Sequence, residues 1–179
     1  MPESLKVANV IPVHKKGSQS LLSNYRPISL LSNLNKLLEK LMCSRLVTFL
    51  DKNSIFYDKQ FGFRAKHSTD HAILSIIDKI QTAIENRELS CGIFLDFSKA
   101  FDTVNHKILI KKLEFYGIRG ITKNWFMSYL SNRQQTVTVN NVSSDPMPIS
   151  CGIPQGSVLG PILFLLYIND FHLCSSLCR

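Results

Sequence analysis

The stretch "IFLDFSKAFDTVNH", residues 93–106, decides how this chain is read. It opens as the kind of β-branched and aromatic run that fills a strand, yet Asp96 stands inside it and Asp102 follows six residues on. Burying a carboxylate among apolar neighbours costs on the order of several kcal/mol unless a cation or hydrogen bonds compensate it. The expectation is a strand over residues 91–97 that delivers Asp96 at its carboxyl end, where the charge leaves the core and enters a cleft. A carboxylate there suits Mg²⁺, which takes one or two carboxylates together with substrate phosphates. An acid that caps a helix or pairs with a lysine is the plainer reading of Asp96. Asp102 is a poor second ligand, because six residues of extended chain would place it roughly 20 Å away.

Outward from that stretch, 179 residues suffice for one domain or a little more, and 45% hydrophobic content supplies a core and argues against disorder. The formal net charge of +8 favours an anionic partner, with nucleic acid first in line ahead of a merely soluble basic surface. Cys43, Cys91, Cys151, Cys174 and Cys178 are odd in number and scattered through apolar contexts. They read as reduced thiols of an intracellular protein, nuclear or cytoplasmic. No charged start followed by an apolar run opens the chain. The nearest membrane candidate, "VLGPILFLLYI" at 158–168, is too short to span a bilayer, so no signal peptide and no membrane partner are expected.

Periodicity places the elements. "LKVANVIPV" (5–13) reads as extended, with Pro12 pointing to an edge or irregular strand, and basic "HKKGS" follows as a turn. Leu34, Leu37, Leu38, Leu41, Met42, Phe49 and Leu50 recur at three- and four-residue spacing after Ser32 or Asn33, an amphipathic helix with its cap. Ala72, Ile73, Ile76, Ile77, Ile80, Ala83 and Ile84 mark a second helix, capped by Ser68 or Thr69. Helices are expected over 107–116, stopped by Gly117, and over 123–130. "QQTVTVNNVSS" alternates and turns at Asn140 and Asn141, an exposed hairpin, and an apolar helix covers 161–167. Helices and strands mix without regular alternation, which predicts an α+β fold and not a doubly wound parallel sheet. No internal repeat, low-complexity tract or linker interrupts them.

Two further stretches carry chemistry. In "CGIPQGSVLG" (151–160) the glycines Gly152, Gly156 and Gly160 permit close backbone approach and Gln155 offers both a donor and an acceptor. Such a loop ahead of an apolar helix closes onto a nucleotide or template, unless it is an ordinary glycine turn. In "HKKGSQSLLSNYRPISLLS", Lys15, Lys16 and Arg26 suit phosphates, the arginine by paired hydrogen bonds, with solvated surface charge as the alternative. His67 and His71, and likewise Cys174 and Cys178, stand one helical turn apart but make no coherent four-ligand zinc set.

Taken in order, "SLKVANVIPVHKKG", "NYRPISLLSNLNKLLEKLM", "QFGFRAKHSTDHAI", "FLDFSKAFDTVNHKILIKKLEFYGIRG", "WFMSYLSNRQQTV" and "GIPQGSVLGPILFLLYINDF" resemble the reverse transcriptase of non-LTR (LINE-like) retrotransposons of the Jockey and CR1 type. The resemblance covers nearly the whole chain. It implies that "FLDFSKAFD" is polymerase motif A, with Asp96 a catalytic metal ligand and the backbone carbonyl of Phe97 completing the coordination of Mg²⁺. Phe101 would be the sugar gate, a ring beneath the incoming nucleotide that clashes with a 2′-hydroxyl. "GIPQGS" would be motif B, with Gln155 on the incoming nucleotide and Gly156 against the base pair or template. Arg26 would bind the triphosphate together with Lys15 or Lys16. "QFGFR", with Gln60, Gly62, Phe63 and Arg64, matches a block near the template and carries no separate chemical step.

One block departs from the family. An aromatic-Ala-Asp-Asp hairpin, source of the second metal-binding carboxylate, would follow "YINDF", whereas the sequence here reads "HLCSSLCR". Asp170 belongs to the end of the motif B helix and is no substitute. The expectation is a truncated right-hand polymerase fold: fingers over 1–89, partial palm over 90–105 and 151–179, a connecting region over 106–150, and the thumb absent. The function implied is RNA-directed DNA polymerisation from an RNA template, a DNA primer and deoxynucleoside triphosphates with two Mg²⁺ ions. The alternative is a catalytically inactive nucleic-acid-binding remnant.

Overall fold

The computed structural model describes residues 1–176. Three helices begin where a side-chain oxygen meets the free amides of a first turn. Ser32 accepts from the Asn35 amide at 3.2 Å to open α1 (Asn33–Lys52). Ser68 accepts from the His71 amide at 3.3 Å to open α2 (Thr69–Glu85). Asn105 accepts from the Lys107 and Ile108 amides to open α3 (His106–Phe115), which Gly117 ends in the left-handed region at φ +92°. α4 (Gly120–Leu130), α5 (Gly160–Ile168) and the short α6 (Leu173–Ser176) complete the helices among the described residues.

The strands β1 (Val7–His14), β2 (Tyr25–Leu30), β3 (Arg133–Val139), β4 (Val142–Ser143) and β5 (Met147–Ile149) form one mixed sheet in the order β2-β1-β3-β4, with β5 also on β3. β1 runs antiparallel to β2 from Asn9↔Leu30 to His14↔Tyr25 and parallel to β3 from Val7↔Gln134 to Val10↔Val137. Beyond Val10 only β2 remains beside β1, so Pro12 withholds no N–H from β3. The β3–β4 hairpin turns through Asn140 and Asn141 at φ 49° and 63°, the pair of positive values that a two-residue primed turn demands. The mixed helices and sheet agree with the expected α+β class; β2 and β5 are strands the sequence reading did not assign.

The chain divides into two compact units. The first, Met1–Ile55 with Lys99–Ile168, holds the sheet and α1, α3, α4 and α5. Its core is Leu46 and Leu50 of α1, Leu109 and Leu113 of α3, Phe126, Tyr129 and Leu130 of α4, and Leu163, Leu165 and Leu166 of α5. The second, Phe56–Ser98 with the segment from Asn169, holds α2 and α6. There the Tyr57 amide donates to Asn169 Oδ1 at 3.0 Å, the Tyr57 ring stacks on His172 at 4.0 Å, and Arg64 lies over the Phe56 ring at 5.2 Å. Ile73, Ile76, Ile77, Ile80 and Ile84 of α2 are exposed.

Two expectations are corrected. Residues 91–97 form no strand: they carry no regular structure, and Ile93 and Phe94 are 83% and 88% exposed. A strand exists only when a neighbour takes its N–H and C=O groups, and among the described residues no strand pairs with this segment. The helix α1 forms as expected but buries a different stripe. Asn35, Glu39, Leu46 and Leu50 face inward, while Leu34, Leu37 and Leu41 are more than half exposed. Among the described residues no helix is long and apolar enough to cross a membrane. Cys43, Cys91 and Cys151 are free thiols, and Cys178 lies outside the described residues.

Candidate functional site

The loop ahead of α5 is locked onto the segment that follows Lys99. The Gly152 amide donates to the Val104 carbonyl and the Ile153 amide to the Phe101 carbonyl, both at 2.8 Å. His106 Nε2 meets the Gly152 carbonyl at 2.6 Å, and since a carbonyl only accepts, that ring nitrogen carries the proton. Gly152 sits at φ +85°, and a Cβ there would fall 2.8 Å from the Asp102 carbonyl oxygen, so no other residue fits without displacing backbone. The hydroxyl-free ring of Phe101 stacks on Phe164 of α5 with centroids 5.0 Å apart.

Gln155 is fixed at both its side chain and its backbone. Its Nε2 donates to Asp102 Oδ1 at 2.8 Å, and its carbonyl accepts from the Ser29 amide of β2 at 2.7 Å. A carboxylate offers no proton when ionised, so the amide nitrogen of Gln155 must face Asp102 and its oxygen must face away. Gly156, at φ +107°, presses on β2: a Cβ would lie 2.9 Å from the Ser29 carbonyl and 3.8 Å from Ile28 Cγ2. Strand alternation places Ile28 on the same face of β2 as Arg26, and Ser29 with Pro27 on the other. On the Pro27 side a groove of about 390 Å³ has Asp102, Gln135, Gln155 and Val10 among its walls.

Lys15 and Lys16 are exposed on the β1–β2 connection, and Arg26 is exposed on β2. That connection is braced. The Lys15 amide donates to the Asn24 carbonyl at 2.8 Å, Asn24 Nδ2 to the Ser18 carbonyl and the Tyr25 hydroxyl to the Gln19 carbonyl, each at 2.9 Å. All of these residues, with Phe101, Asp102, Gln155 and Gly156, belong to the first unit. Asp96 and Phe97 belong to the second. Asp96 is exposed there instead of emerging from a buried strand, so its charge carries no large desolvation cost. Phe97 meets the Phe171 ring edge-on at 5.5 Å. Arg64 of "QFGFR" donates to the Tyr57 carbonyl at 3.1 Å, which braces its own loop.

Among the described residues no three His, Cys, Asp or Glu side chains stand together as a metal cage. Asp96 and the Phe97 carbonyl therefore do not complete a two-ion site by themselves, since such a site needs carboxylates that converge from separate segments.

Sequence reasoning missed two acids. Asp102, set aside as a metal ligand, holds Gln155; the residues stand 53 positions apart, and no local pattern links them. Glu39 is wholly buried: Oε2 accepts from the Val158 and Leu159 amides at 2.6 and 3.3 Å, and Oε1 accepts from the Tyr129 hydroxyl at 3.0 Å. Burial first, and then the Glu39 charge, push the Tyr129 hydroxyl far above its ordinary range, so it remains a donor. Burial and Glu39 likewise push the Cys43 thiol up. The signal for Glu39 was an acid set, with Lys40, in the middle of the apolar run "LLEKLM".

The family description "Reverse transcriptase (RNA-dependent DNA polymerase)" matches residues 13–173, which include every block quoted above except the greater part of "SLKVANVIPVHKKG". The chain belongs to the reverse transcriptase family. Among the curated proteins this chain resembles is "Probable RNA-directed DNA polymerase from transposon BS" of Drosophila melanogaster, 38% identical over 176 residues, covering 94% of this chain and 19% of the relative. "RNA-directed DNA polymerase from mobile element jockey" of the same organism is 36% identical over 173 residues, covering 94% and 18%. "Probable RNA-directed DNA polymerase from transposon X-element" is 35% identical over 173 residues. The likeness is to the non-LTR, Jockey-like branch, as the motifs implied. The chain spans under a fifth of the length of these relatives, 18 to 19%.

Proposed function

We propose that this chain supplies the nucleotide- and template-contacting part of an RNA-directed DNA polymerase, comprising fingers and part of a palm. The reaction it serves is attack of a primer 3′-hydroxyl on the α-phosphate of a deoxynucleoside triphosphate, with release of pyrophosphate. The reading is supported most by one juxtaposition: in the motif A segment the Phe101 carbonyl accepts from the Ile153 amide and Asp102 Oδ1 from Gln155 Nε2, both at 2.8 Å, while the Gln155 carbonyl of the motif B loop accepts from Ser29 of β2 at 2.7 Å. In this reading Arg26 and one of Lys15 and Lys16 hold the triphosphate. Phe101 lies under the sugar and excludes a 2′-hydroxyl, Gln155 contacts the nucleotide, and Gly156 lets the backbone approach the base pair.

Members of the family use Mg²⁺, and Asp96 with the Phe97 carbonyl is our assignment for its ligands in this chain. The ion would neutralise phosphate charge. One carboxylate does not hold two ions, so this reading requires a second carboxylate from another segment. A chimera in which residues 1–176 replace the matching segment of the jockey polymerase tests the reading by primer extension on an RNA template. Mg²⁺-dependent synthesis is expected, abolished by Asp96→Asn, while Phe101→Ala chiefly relaxes discrimination against ribonucleotides. Undiminished synthesis by the Asp96→Asn chimera would remove the assignment.

The net charge of +8 with exposed Lys15, Lys16 and Arg26 favours a second reading, a nucleic-acid-binding remnant without turnover. Binding to an RNA–DNA duplex that falls steeply with salt, beside a chimera that never polymerises, would select it.

A further inference from the structure

The geometry points to Glu39 as a positioning residue that fixes the Gln155 loop from behind, through the amides of Val158 and Leu159. This rests on the assignment of Gln155 to the nucleotide. Glu39 sits on α1, 0% exposed, with Oε2 on the Val158 and Leu159 amides at 2.6 and 3.3 Å and Oε1 on the Tyr129 hydroxyl at 3.0 Å. Those two amides stand just ahead of α5, where backbone donors lack partners of their own and the helix dipole favours a negative charge. The Gly160 amide is already taken by Ser157 Oγ at 2.8 Å. The carboxylate therefore takes the two donors that the local cap leaves over.

Besides its bonds to the 101–104 segment, the loop is held at one point by β2 and at another by α1. At Gln155 its carbonyl accepts from Ser29 at 2.7 Å, and at Val158 its amide meets Glu39. Between them lie only Gly156 and Ser157, and the Ser157 amide turns back to the Pro154 carbonyl at 3.1 Å. Losing either anchor leaves a glycine-containing turn held by the Ser157–Pro154 and Gly160–Ser157 hydrogen bonds and the Gln155 side chain, and Gly156 at φ +107° gives it room to shift. A fully buried carboxylate is a costly way to fill space, and an apolar side chain would pack there at less expense. What the carboxylate adds is direction: both of its oxygens are committed, one to the loop and one to α4. The Arg133 guanidinium, 1% exposed and 5.0 Å over the Tyr129 ring, adds positive charge to the same cluster.

Glu39→Gln preserves shape and removes the charge: with its oxygen on the two amides its NH2 must donate to the Tyr129 oxygen, and the reverse orientation sets N–H against N–H. Amide hydrogen exchange in the full chain reads the clamp directly. In the unsubstituted protein Val158 and Leu159 are expected to be protected like Leu163 inside α5, and rapid exchange there would overturn the proposal with no variant needed. In Glu39→Gln both amides are expected to exchange about tenfold faster or more, with Gly160 little changed, the scale of losing a charge-assisted hydrogen bond. Uniform acceleration across α5 would mean a general loss of packing and would count against a positioning role.

A double-mutant cycle separates positioning from stability. The probe is the Mg²⁺ complex of a deoxynucleoside triphosphate, titrated against the full chain. Glu39→Gln is expected to weaken binding about tenfold, and to weaken it no further once Gln155→Ala is present, the signature of two residues acting through one element. Independent, additive losses would overturn the proposal. If the unsubstituted chain binds no nucleotide, the assignment of Gln155 fails. The clamp is then decided by the exchange rates and by whether Glu39→Gln shifts the Gln155 side-chain amide resonance.

Discussion

Residues 99–106 and residues 91–97 are neighbours in one sequence block and end in opposite states. The first carries two turns and little strand propensity, yet its carbonyls at Phe101 and Val104 are taken by the Ile153 and Gly152 amides, and Val104 is wholly buried. The second has the better strand composition, yet Leu95 is 64% exposed and Phe94 88%. The difference teaches that backbone partners, not β-propensity, decide which half is ordered by the fold. The half with partners is the half that carries Phe101 and Asp102.

That contrast is open to breaking by substitution, and Trp125 is a convenient reporter, being the chain's one tryptophan and lying in the first unit, stacked on Tyr129 at 5.5 Å. Leu163→Ala, at a side chain with no exposure, is expected to destabilise the first unit by about 3 kcal/mol in urea unfolding followed by Trp125 fluorescence. A loss under about 1 kcal/mol would show that α5 is not the packed centre. Gly152→Ala places a Cβ against the Asp102 carbonyl at positive φ and is expected to cost about 2 kcal/mol in the same assay. Equal stability would mean that the seam between the two segments yields easily.

Tyr129 gives a pH dependence with a definite sign. Its folded pKa is raised by burial and by Glu39 above the unfolded value of about 10. The stabilisation is therefore fully present below about pH 10 and is lost as pH climbs from there towards the higher folded pKa, at about 1.4 kcal/mol per pH unit. Tyr129→Phe is expected to lack this alkaline loss, and parallel pH profiles for the two proteins would contradict the burial. A smaller effect, about 1 kcal/mol, is expected for Ser32→Ala at the cap of α1, read from the urea midpoint. Leu95→Ala closes the series. At an exposed position in the unpaired segment it is expected to change stability by less than about 0.5 kcal/mol.

The helices were legible because their signals are local: Ser32, Ser68 and Asn105 mark starts, Gly117 marks a stop, and apolar spacing fills the interval. The hairpin was legible from Asn140 and Asn141 for the same reason. β2 was not, since Pro27 reads as a breaker until one sees it paired with Pro12. The strand over 91–97 was read from composition alone, and composition says nothing about partners. On α1 the apolar residues suggested one buried face and the fold uses another, because Glu39 turns inward to meet donors more than a hundred residues away. At the candidate site the motifs named Gln155 and Gly156, but the acids that hold them, Asp102 and Glu39, answer to long-range geometry.

The most direct measurement is a titration of the isotope-labelled chain with the Mg²⁺ complex of a deoxynucleoside triphosphate, followed by backbone and side-chain amide resonances. Saturable shifts at Arg26, Phe101, Gln155 and Gly156, together with the Gln155 side-chain amide that faces Asp102, are the predicted result, with Ile93 and Phe94 little changed. An absence of shifts at those four residues under saturating nucleotide, or shifts confined to residues outside the first unit, would contradict the account.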